Sequence, residues 1–320
     1  MGQFTETYSA KTIEQMKKIY EASLEKAPQG AVFRARTEDA VITAYRSGKV
    51  LFQGPRPEIE KKKWGESKQI SSTKMTKTMT NVQTSLLPTE EAIYDPPESL
   101  FFNNHIGSDE SGTGDYFGPI TTCAVYIKKE DIDTLNQMGI QDSKTISDET
   151  IIRLSRELVQ LEIPYSLMIL HNEKYNDLQA RGWSQGKMKA MLHHSVIEQL
   201  LKKIDDEPYD GILIDQFCNP SVYKKHLHSE GKSLIEHTYF MTKAEDYSIA
   251  VAAGSVIARA SFLNEMKKLS EMVGIELMKG ASQKVDEIAA RIIRTKGEST
   301  LPKIAKVHFA NTKKARNYLL

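Results

Sequence analysis

Cysteine is scarce in this 320-residue chain, which has two, Cys123 and Cys218. Two thiols cannot build a disulfide framework, and the absence of a CxxC spacing argues against a zinc or redox site. Both cysteines lie in apolar stretches, which favours buried thiols in a reducing compartment. The sequence therefore predicts a cytoplasmic protein without disulfide bonds.

Several other common signals are missing. No run of about 18 apolar residues occurs, so we expect no membrane span, and the N-terminal segment lacks the apolar core of a signal peptide. A GxxxxGK[ST] run and a Ser-His-Asp arrangement are also absent, which counts against P-loop and hydrolase-triad chemistry. What remains is an ordinary soluble composition, 40% hydrophobic and 27% charged, long enough for about two domains at roughly 150 residues each.

The net charge of +1 hides an asymmetry along the chain. Residues 1–89 hold 15 Lys and Arg against 9 Asp and Glu, a balance of +6, whereas residues 90–320 hold 28 against 33, a balance of −5. A basic front and an acid-rich rear suit a polyanion-binding module joined to a cation-holding domain, although either balance also fits a solvated surface.

The front of the chain reads as a small α+β domain. Helical periodicity covers residues 10–27, and three short strands at 31–36, 40–45 and 49–53 form an antiparallel meander. A second helix is predicted at 57–65, before a Ser-, Thr- and Lys-rich stretch. We therefore predict an N-terminal domain at residues 1–66, a linker at 67–98 and a second domain at 99–320.

The rear domain alternates strands with helices, the pattern of an α/β fold with helices on both faces of a layered sheet. The predicted strands are one that leads into Asp109 and others at 120–127, 164–170, 211–215 and 237–242. The predicted helices span 147–161, 187–204 and 247–269.

Carboxylates follow three of these strands: Asp109 with Glu110, Asp215, and Glu245. Ligands of open α/β sheets bind at the carboxyl ends of the strands, so neighbouring strands would bring the acids together. Four like charges repel unless cations neutralise them, which indicates a Mg²⁺ site, with two ions able to clamp a phosphodiester. The alternative is a set of acidic strand ends. We assign Asp246, beside Glu245, to the cap of the following helix.

A glycine-rich loop directly follows the acid pair, and glycines allow backbone N–H groups to approach a phosphate. The run from Asp109 through Gly112, Thr113 and Gly114 to Pro119 resembles the opening motif of bacterial ribonuclease HIII. The resemblance continues in three further motifs: Asp142-Ser143-Lys144, Ile214-Asp215-Gln216-Phe217, and Lys243-Ala244-Glu245. The related ribonuclease HII usually has Gly-Arg-Gly in the loop and aspartate at the last position, so the HIII type is favoured.

The resemblance implies an endonuclease that cuts the RNA strand of RNA–DNA hybrids and leaves 5′-phosphate and 3′-hydroxyl ends. It implies a ribonuclease H-like mixed sheet flanked by helices, preceded by a TATA-binding-protein-like substrate-binding domain. The metal-binding catalytic set would be Asp109, Glu110, Asp215 and Glu245, with two Mg²⁺ or Mn²⁺ ions. Substrate contacts would come from Gly112, Thr113, Gly114, Ser143 and Lys144.

Some features have two interpretations. Tyr45, Phe52 and Trp64 either contact the minor groove of a hybrid or belong to the core. A polar, basic segment near the C-terminus, His308-Phe309 with Asn311, Thr312 and Lys314, would flank the cleft. Competing functions are nicking beside a single ribonucleotide in DNA, as in ribonuclease HII, and hybrid binding without catalysis. No obligate protein partner is indicated, so we expect a monomer.

Overall fold

The computed structural model describes residues 2–8, 10–25, 27–28, 31–45, 49–65, 92–140, 146–205 and 207–319. They form two compact units, one on either side of residues 66–91. Most of the predicted linker lies outside the described residues, as do Ser143 and Lys144. The domain boundaries given above therefore stay predictions.

The first unit is a five-stranded antiparallel sheet with two helices, in the strand order β1-β5-β4-β3-β2. Its elements are β1 Gly2–Thr7, α1 Ala10–Ile19, β2 Leu24–Glu25, β3 Ala31–Arg36, β4 Val41–Tyr45, β5 Lys49–Gly54 and α2 Pro57–Gly65. The predicted meander of β3, β4 and β5 and the helix at 57–65 are confirmed. Strand β1 was not predicted, because its sequence GQFTET has little apolar content.

The predicted helix at residues 10–27 is too long. Helix α1 ends at Ile19, and the chain then pairs Leu24 with Ala35 and Glu25 with Arg34 across the β2–β3 ladder. Nε of Arg34 lies 3.3 Å from Glu25 Oε2, so cross-strand pairing and charge attraction outweigh helical periodicity there.

Aromatic side chains from the helices and the sheet form the core of this unit. Phe52 and Trp64 are buried, and Trp64 Nε1 donates to the Tyr20 hydroxyl, which donates to the buried Glu60 carboxylate. The core interpretation therefore holds for Phe52 and Trp64, whereas Tyr45 is half-buried.

The second unit contains a mixed five-stranded sheet in the order β10-β9-β6-β7-β8. Its strands are β6 His105–Ser111, β7 Ile120–Ile127, β8 Tyr165–Leu170, β9 Ile212–Asp215 and β10 Thr238–Met241. Its helices are α3 Ile132–Gln137, α4 Asp148–Gln160, α5 Asn172–Ala180, α6 Gln185–Ile204, α7 Pro220–His228, α8 Ile249–Val273, α9 Gln283–Lys296, α10 Leu301–Ile304 and α11 Ala310–Asn317.

Helices cover both faces of this sheet, as predicted. Alternate residues of β7 divide between the faces: Cys123 and Val125 pack with α4 and α8, while Ala124 and Tyr126 pack with α6 and α7. Strands β6, β9 and β10 run parallel to one another, and β7 is antiparallel to both of its neighbours. No helix among the described residues is long and apolar enough to cross a membrane.

Helix α8 lies with its backbone directly on β6. A Cβ built on Gly107 would stand 2.1 Å from the backbone nitrogen of Val251, and one on Gly254 would stand 3.3 Å from the carbonyl oxygen of Cys123. Only glycine at 107 permits this approach.

Candidate active site

Strand order and register bring the predicted acids to one edge of the sheet. Ser108 is level with Ile214, so Asp109 and Asp215 lie side by side, each directly after the last pair of the β6–β9 ladder. Asp215 is level with Met241, the last residue of β10, and Glu245 follows in the 3₁₀ turn Ala244–Asp246. Strands β6, β9 and β10 are therefore neighbours, as the predicted convergence of the acids requires.

Asp109 has a strongly perturbed environment. Its side chain is buried, and this burial together with the charges of Glu110 and Asp215 raises its pKa to about 7. Hydrogen bonds from Ser255 and from the Glu110 backbone N–H lower the pKa, but by less. Burying one carboxylate beside two others costs free energy, and a bound cation would offset that cost.

Glu110 is held by two residues of helix α6. Nζ of Lys189 donates to Oε1 at 2.6 Å, and Nε2 of His193 lies 2.7 Å from Oε2. Burial raises the pKa of Glu110, but the His193 hydrogen bond and the adjacent Lys189 ammonium hold it below its ordinary value. Glu110 is therefore ionised, with both oxygens engaged.

The donor chemistry fits a hard divalent cation. Asp109, Glu110, Asp215 and Glu245 offer carboxylate oxygens, the ligands that Mg²⁺ and Mn²⁺ take in proteins. Across the described ranges, however, no three Asp, Glu, His or Cys side chains are grouped as ready-made ligands. Instead Asp109 Oδ1 accepts from the Glu110 N–H at 2.7 Å and Asp215 Oδ1 accepts from the Ala244 N–H at 2.9 Å.

The three predicted loop residues differ in what surrounds them. Gly112 has a φ of +88°, and a Cβ there would stand 2.3 Å from the Pro119 carbonyl oxygen, so the fold itself requires glycine. The carbonyl of Thr113 accepts a hydrogen bond from Gln185 Nε2 at 3.0 Å. Gly114 is exposed, and a Cβ there would meet nothing within 4 Å. Packing therefore explains Gly112 and leaves Gly114 without a structural requirement.

The second half of the motif anchors the loop to the C-terminal helices. Tyr116 and Phe117 are buried against α9–α11, and Asp115 Oδ1 accepts from the Gly280 N–H at 2.5 Å. Behind the loop, Nζ of buried Lys306 donates to the carbonyls of Asp115 and Gly118 at 2.8 and 2.6 Å. Burial lowers the pKa of Lys306 to about 7. Lys306 was not predicted, because no residue near it in the sequence marks it as buried.

One expectation is wrong. Asp246 does not cap the following helix: it is exposed, and the Ser248 hydroxyl caps α8 by accepting from the Val251 N–H.

The C-terminal polar segment is only partly open. His308 and Lys314 are exposed, but Asn311 and Thr312 are buried, Asn311 donating to Asp286 and Thr312 bonding to the Tyr116 hydroxyl.

Helix α6 contributes three residues to the candidate site that were not predicted. Gln185, Lys189 and His193 are spaced by four and contact the loop, Glu110 and Ser108 in turn. The spacing puts them on one helix face. The spacing of three polar residues at i, i+4 and i+8 on the helix face toward the acids was the available signal.

Family models match both parts of the chain. Residues 106–312 match the model described as ribonuclease HII. Residues 4–77 match a domain of unknown function, DUF3378. The second match covers the front of the chain without indicating what that part binds.

Full-length relatives share the same layout. Ribonuclease HIII of Oceanobacillus iheyensis is 54% identical over 307 residues, covering 96% of both chains. Ribonuclease HIII of Bacillus subtilis is 47% identical over 310 residues, covering 96% of this chain and 95% of that one. The crystal structure of Bst-RNase HIII in complex with Mn²⁺ matches with a TM-score of 0.67 and 40% identity over 99% of both chains. The crystal structure of Aquifex aeolicus RNase H3, at 22% identity and a TM-score of 0.53, is similar in fold.

Proposed function

The chain belongs to the ribonuclease HII/HIII family, and from this premise we propose that it is a divalent-metal-dependent endonuclease acting on RNA–DNA hybrids. It hydrolyses the RNA strand and leaves 5′-phosphate and 3′-hydroxyl ends. The observation that carries the proposal is the position of Asp109 and Asp215 side by side on adjacent parallel strands, where the pKa of Asp109 is raised to about 7.

Asp109, Glu110, Asp215 and Glu245 would hold the metal ions, two of them when substrate is bound. Bound Mg²⁺ or Mn²⁺ supplies Lewis-acid chemistry to the phosphodiester and to the attacking water. The carboxylates bind the ions and set their places, while β6, β9 and the turn after β10 keep the carboxylates in register. That a relative was crystallised with Mn²⁺ supports the same class of ion.

The loop at residues 112–114 positions the RNA strand beside these acids. Gly114 leaves open space at its α-carbon, so a ribose and its phosphate can approach the backbone closely. Contact with the 2′-hydroxyl would let the loop select RNA over DNA. Ser143 and Lys144 are proposed to bind phosphate, and the basic front domain to grip the hybrid backbone in a salt-dependent manner. The working form is a cytoplasmic monomer.

Cleavage of an end-labelled RNA–DNA hybrid in Mg²⁺ or Mn²⁺ tests the proposal. The wild type is expected to make internal cuts in the RNA strand. Asp109→Asn keeps the size of the side chain but removes its charge, and should cut at least roughly 10²-fold more slowly, since metal-dependent stabilisation of the transition state is worth several kcal/mol. Hybrid binding by the variant, measured by fluorescence anisotropy, should persist.

Two controls separate the alternatives. A duplex with a single ribonucleotide distinguishes this activity from ribonuclease HII-type nicking, because a hybrid-specific enzyme leaves it intact. Binding of the hybrid by the wild type without cleavage in either metal would refute the catalytic proposal and favour a binding protein.

A further inference from the structure

Helix α6 places two different nitrogen groups on the two oxygens of the Glu110 carboxylate. Lys189 and His193, one helical turn apart, contact Oε1 and Oε2 at 2.6 and 2.7 Å. Salt bridges at this depth stabilise a protein only when the remaining polar atoms are satisfied, so the surroundings of each partner reveal what it contributes.

His193 is fixed on every side. It is fully buried, its Nδ1 lies 2.7 Å from the Ser108 hydroxyl, and its ring stacks on Phe217 with centroids 5.3 Å apart at 24°. The Ser108 hydroxyl has two acceptors within reach, His193 Nδ1 and the Cys123 carbonyl oxygen. A buried ring held by β6 and by the loop after Asp215 cannot leave without repacking the core, so His193 fixes the direction of the Glu110 carboxylate.

Lys189 is held differently. Its side chain is 13% exposed and reaches Glu110 at the end of a flexible stem, with Nζ 4.0 Å from the centre of the Phe217 ring. The ring face attracts a cation without directing it, because the contact is not a hydrogen bond. Lys189 can therefore move along the ring while His193 stays in place.

A divalent cation on Glu110 would compete with this ammonium. Oε1 is already occupied at 2.6 Å by a positive group, and two cations on one carboxylate oxygen repel each other strongly in a site of low dielectric constant. The His193 contact on the other oxygen does not oppose metal binding, since second-sphere hydrogen bonds orient ligating carboxylates.

We propose that Lys189 is an exchangeable counterion of Glu110, displaced when a divalent cation binds, and that His193 is the positioning residue that keeps Glu110 aimed at that cation. The proposal rests on the proposed function, namely on a divalent-metal site at Asp109, Glu110, Asp215 and Glu245. It assigns opposite effects on metal affinity to two residues that touch the same carboxylate.

Mn²⁺ binding, followed by loss of the free-ion electron paramagnetic resonance signal at constant pH and ionic strength, tests the proposal without relying on catalysis. Lys189→Met keeps the stem and removes the charge, and should bind Mn²⁺ about tenfold more tightly, because the competing cation is gone. Lys189→Arg keeps the charge and should stay within about twofold of the wild type. His193→Gln should bind Mn²⁺ more weakly.

Each outcome has a distinct meaning. Unchanged or weaker Mn²⁺ binding by Lys189→Met would overturn the counterion role, and lost cleavage at unchanged Mn²⁺ affinity would place Lys189 on the substrate instead. Absence of Mn²⁺ binding by Asp109→Asn and the wild type alike would refute the proposed function itself. Should His193→Gln unfold in a thermal melt, the Lys189 pair still decides the proposal.

Discussion

The backbone N–H of Ala244 donates a hydrogen bond of 2.9 Å to Oδ1 of Asp215. This contact joins the end of β9 to the 3₁₀ turn after β10, and it places the next residue, Glu245, in the interior while Asp246 points to solvent. Two adjacent acids in one short turn thereby receive different environments.

Glu245→Gln and Asp246→Asn form a matched pair that follows from this difference. Each removes one negative charge from the same turn and keeps the side-chain size. We expect Glu245→Gln to slow hybrid cleavage by roughly 10²-fold or more, as for a lost metal ligand, and Asp246→Asn to stay within about twofold. Initial rates at saturating metal measure both. If both variants lose the same fraction of the cleavage rate, the negative charge of the turn matters and metal ligation by Glu245 does not.

Gly107→Ala should destabilise the second unit severely. The added Cβ would lie 2.1 Å from the Val251 nitrogen and 2.3 Å from the Ala250 carbonyl carbon, both in the backbone of α8. Backbone atoms cannot rotate away, so the loss should exceed the about 1–3 kcal/mol typical of overpacking. Urea unfolding followed by circular dichroism measures it. A midpoint equal to that of the wild type would contradict the backbone contact between α8 and β6.

Gly114→Ala should separate substrate contact from folding. Because the site is open and φ is not in the left-handed region, the variant should unfold at the wild-type urea concentration. If the RNA strand passes against this backbone, the methyl group should weaken hybrid binding and slow cleavage by about tenfold, equivalent to about 1.4 kcal/mol. Anisotropy titrations and cleavage rates test it. If the variant binds and cleaves the hybrid as the wild type does, Gly114 does not contact the substrate.

Lys306 should make the free energy of unfolding depend on pH. Its pKa is about 7 in the folded chain, whereas the ordinary value is 10.5. Between these two pH values the unfolded state binds more protons than the folded state, so the contribution of Lys306 to the free energy of unfolding rises with pH. Below about pH 7 the lysine is protonated in both states, and this slope disappears. The contribution is at most about 1.4 kcal/mol per pH unit.

Urea unfolding at pH 7, 8 and 9 tests this slope against Lys306→Met. The free energy of unfolding of the wild type should increase with pH relative to that of Lys306→Met, which has no titrating group there. Lys303→Met, which alters an exposed lysine of helix α10, serves as the control and should follow the wild type. Parallel curves for the wild type and Lys306→Met would contradict the lowered pKa.

Local patterns allowed the five strands and the helices α4, α6 and α8 of the second unit to be predicted, but not its other helices. The apolar runs that end at Asp215 and begin at Ile120 form strands as expected, and Ser147 begins a helix by accepting from the Thr150 N–H. Residues 24–25 were predicted wrongly because a distant partner decided their structure: they pair with β3 instead of continuing α1. The cap of α8 was predicted wrongly for a local reason, since helix α8 begins at Ile249 and the residue before it, Ser248, accepts from the Val251 N–H.

The amino-acid sequence by itself determined the fold class, the strand-end acids Asp109, Asp215 and Glu245, and the glycine loop beside them, because these depend on periodicity and on the order of residues within short segments. Only the tertiary structure decided that Lys189 and His193 hold Glu110, that Lys306 supports the loop from behind, and that Gly112 serves packing while Gly114 does not. Such contacts depend on strand order and on the rotation of each helix about its axis. Both are set by the packing of the whole core rather than by any local pattern.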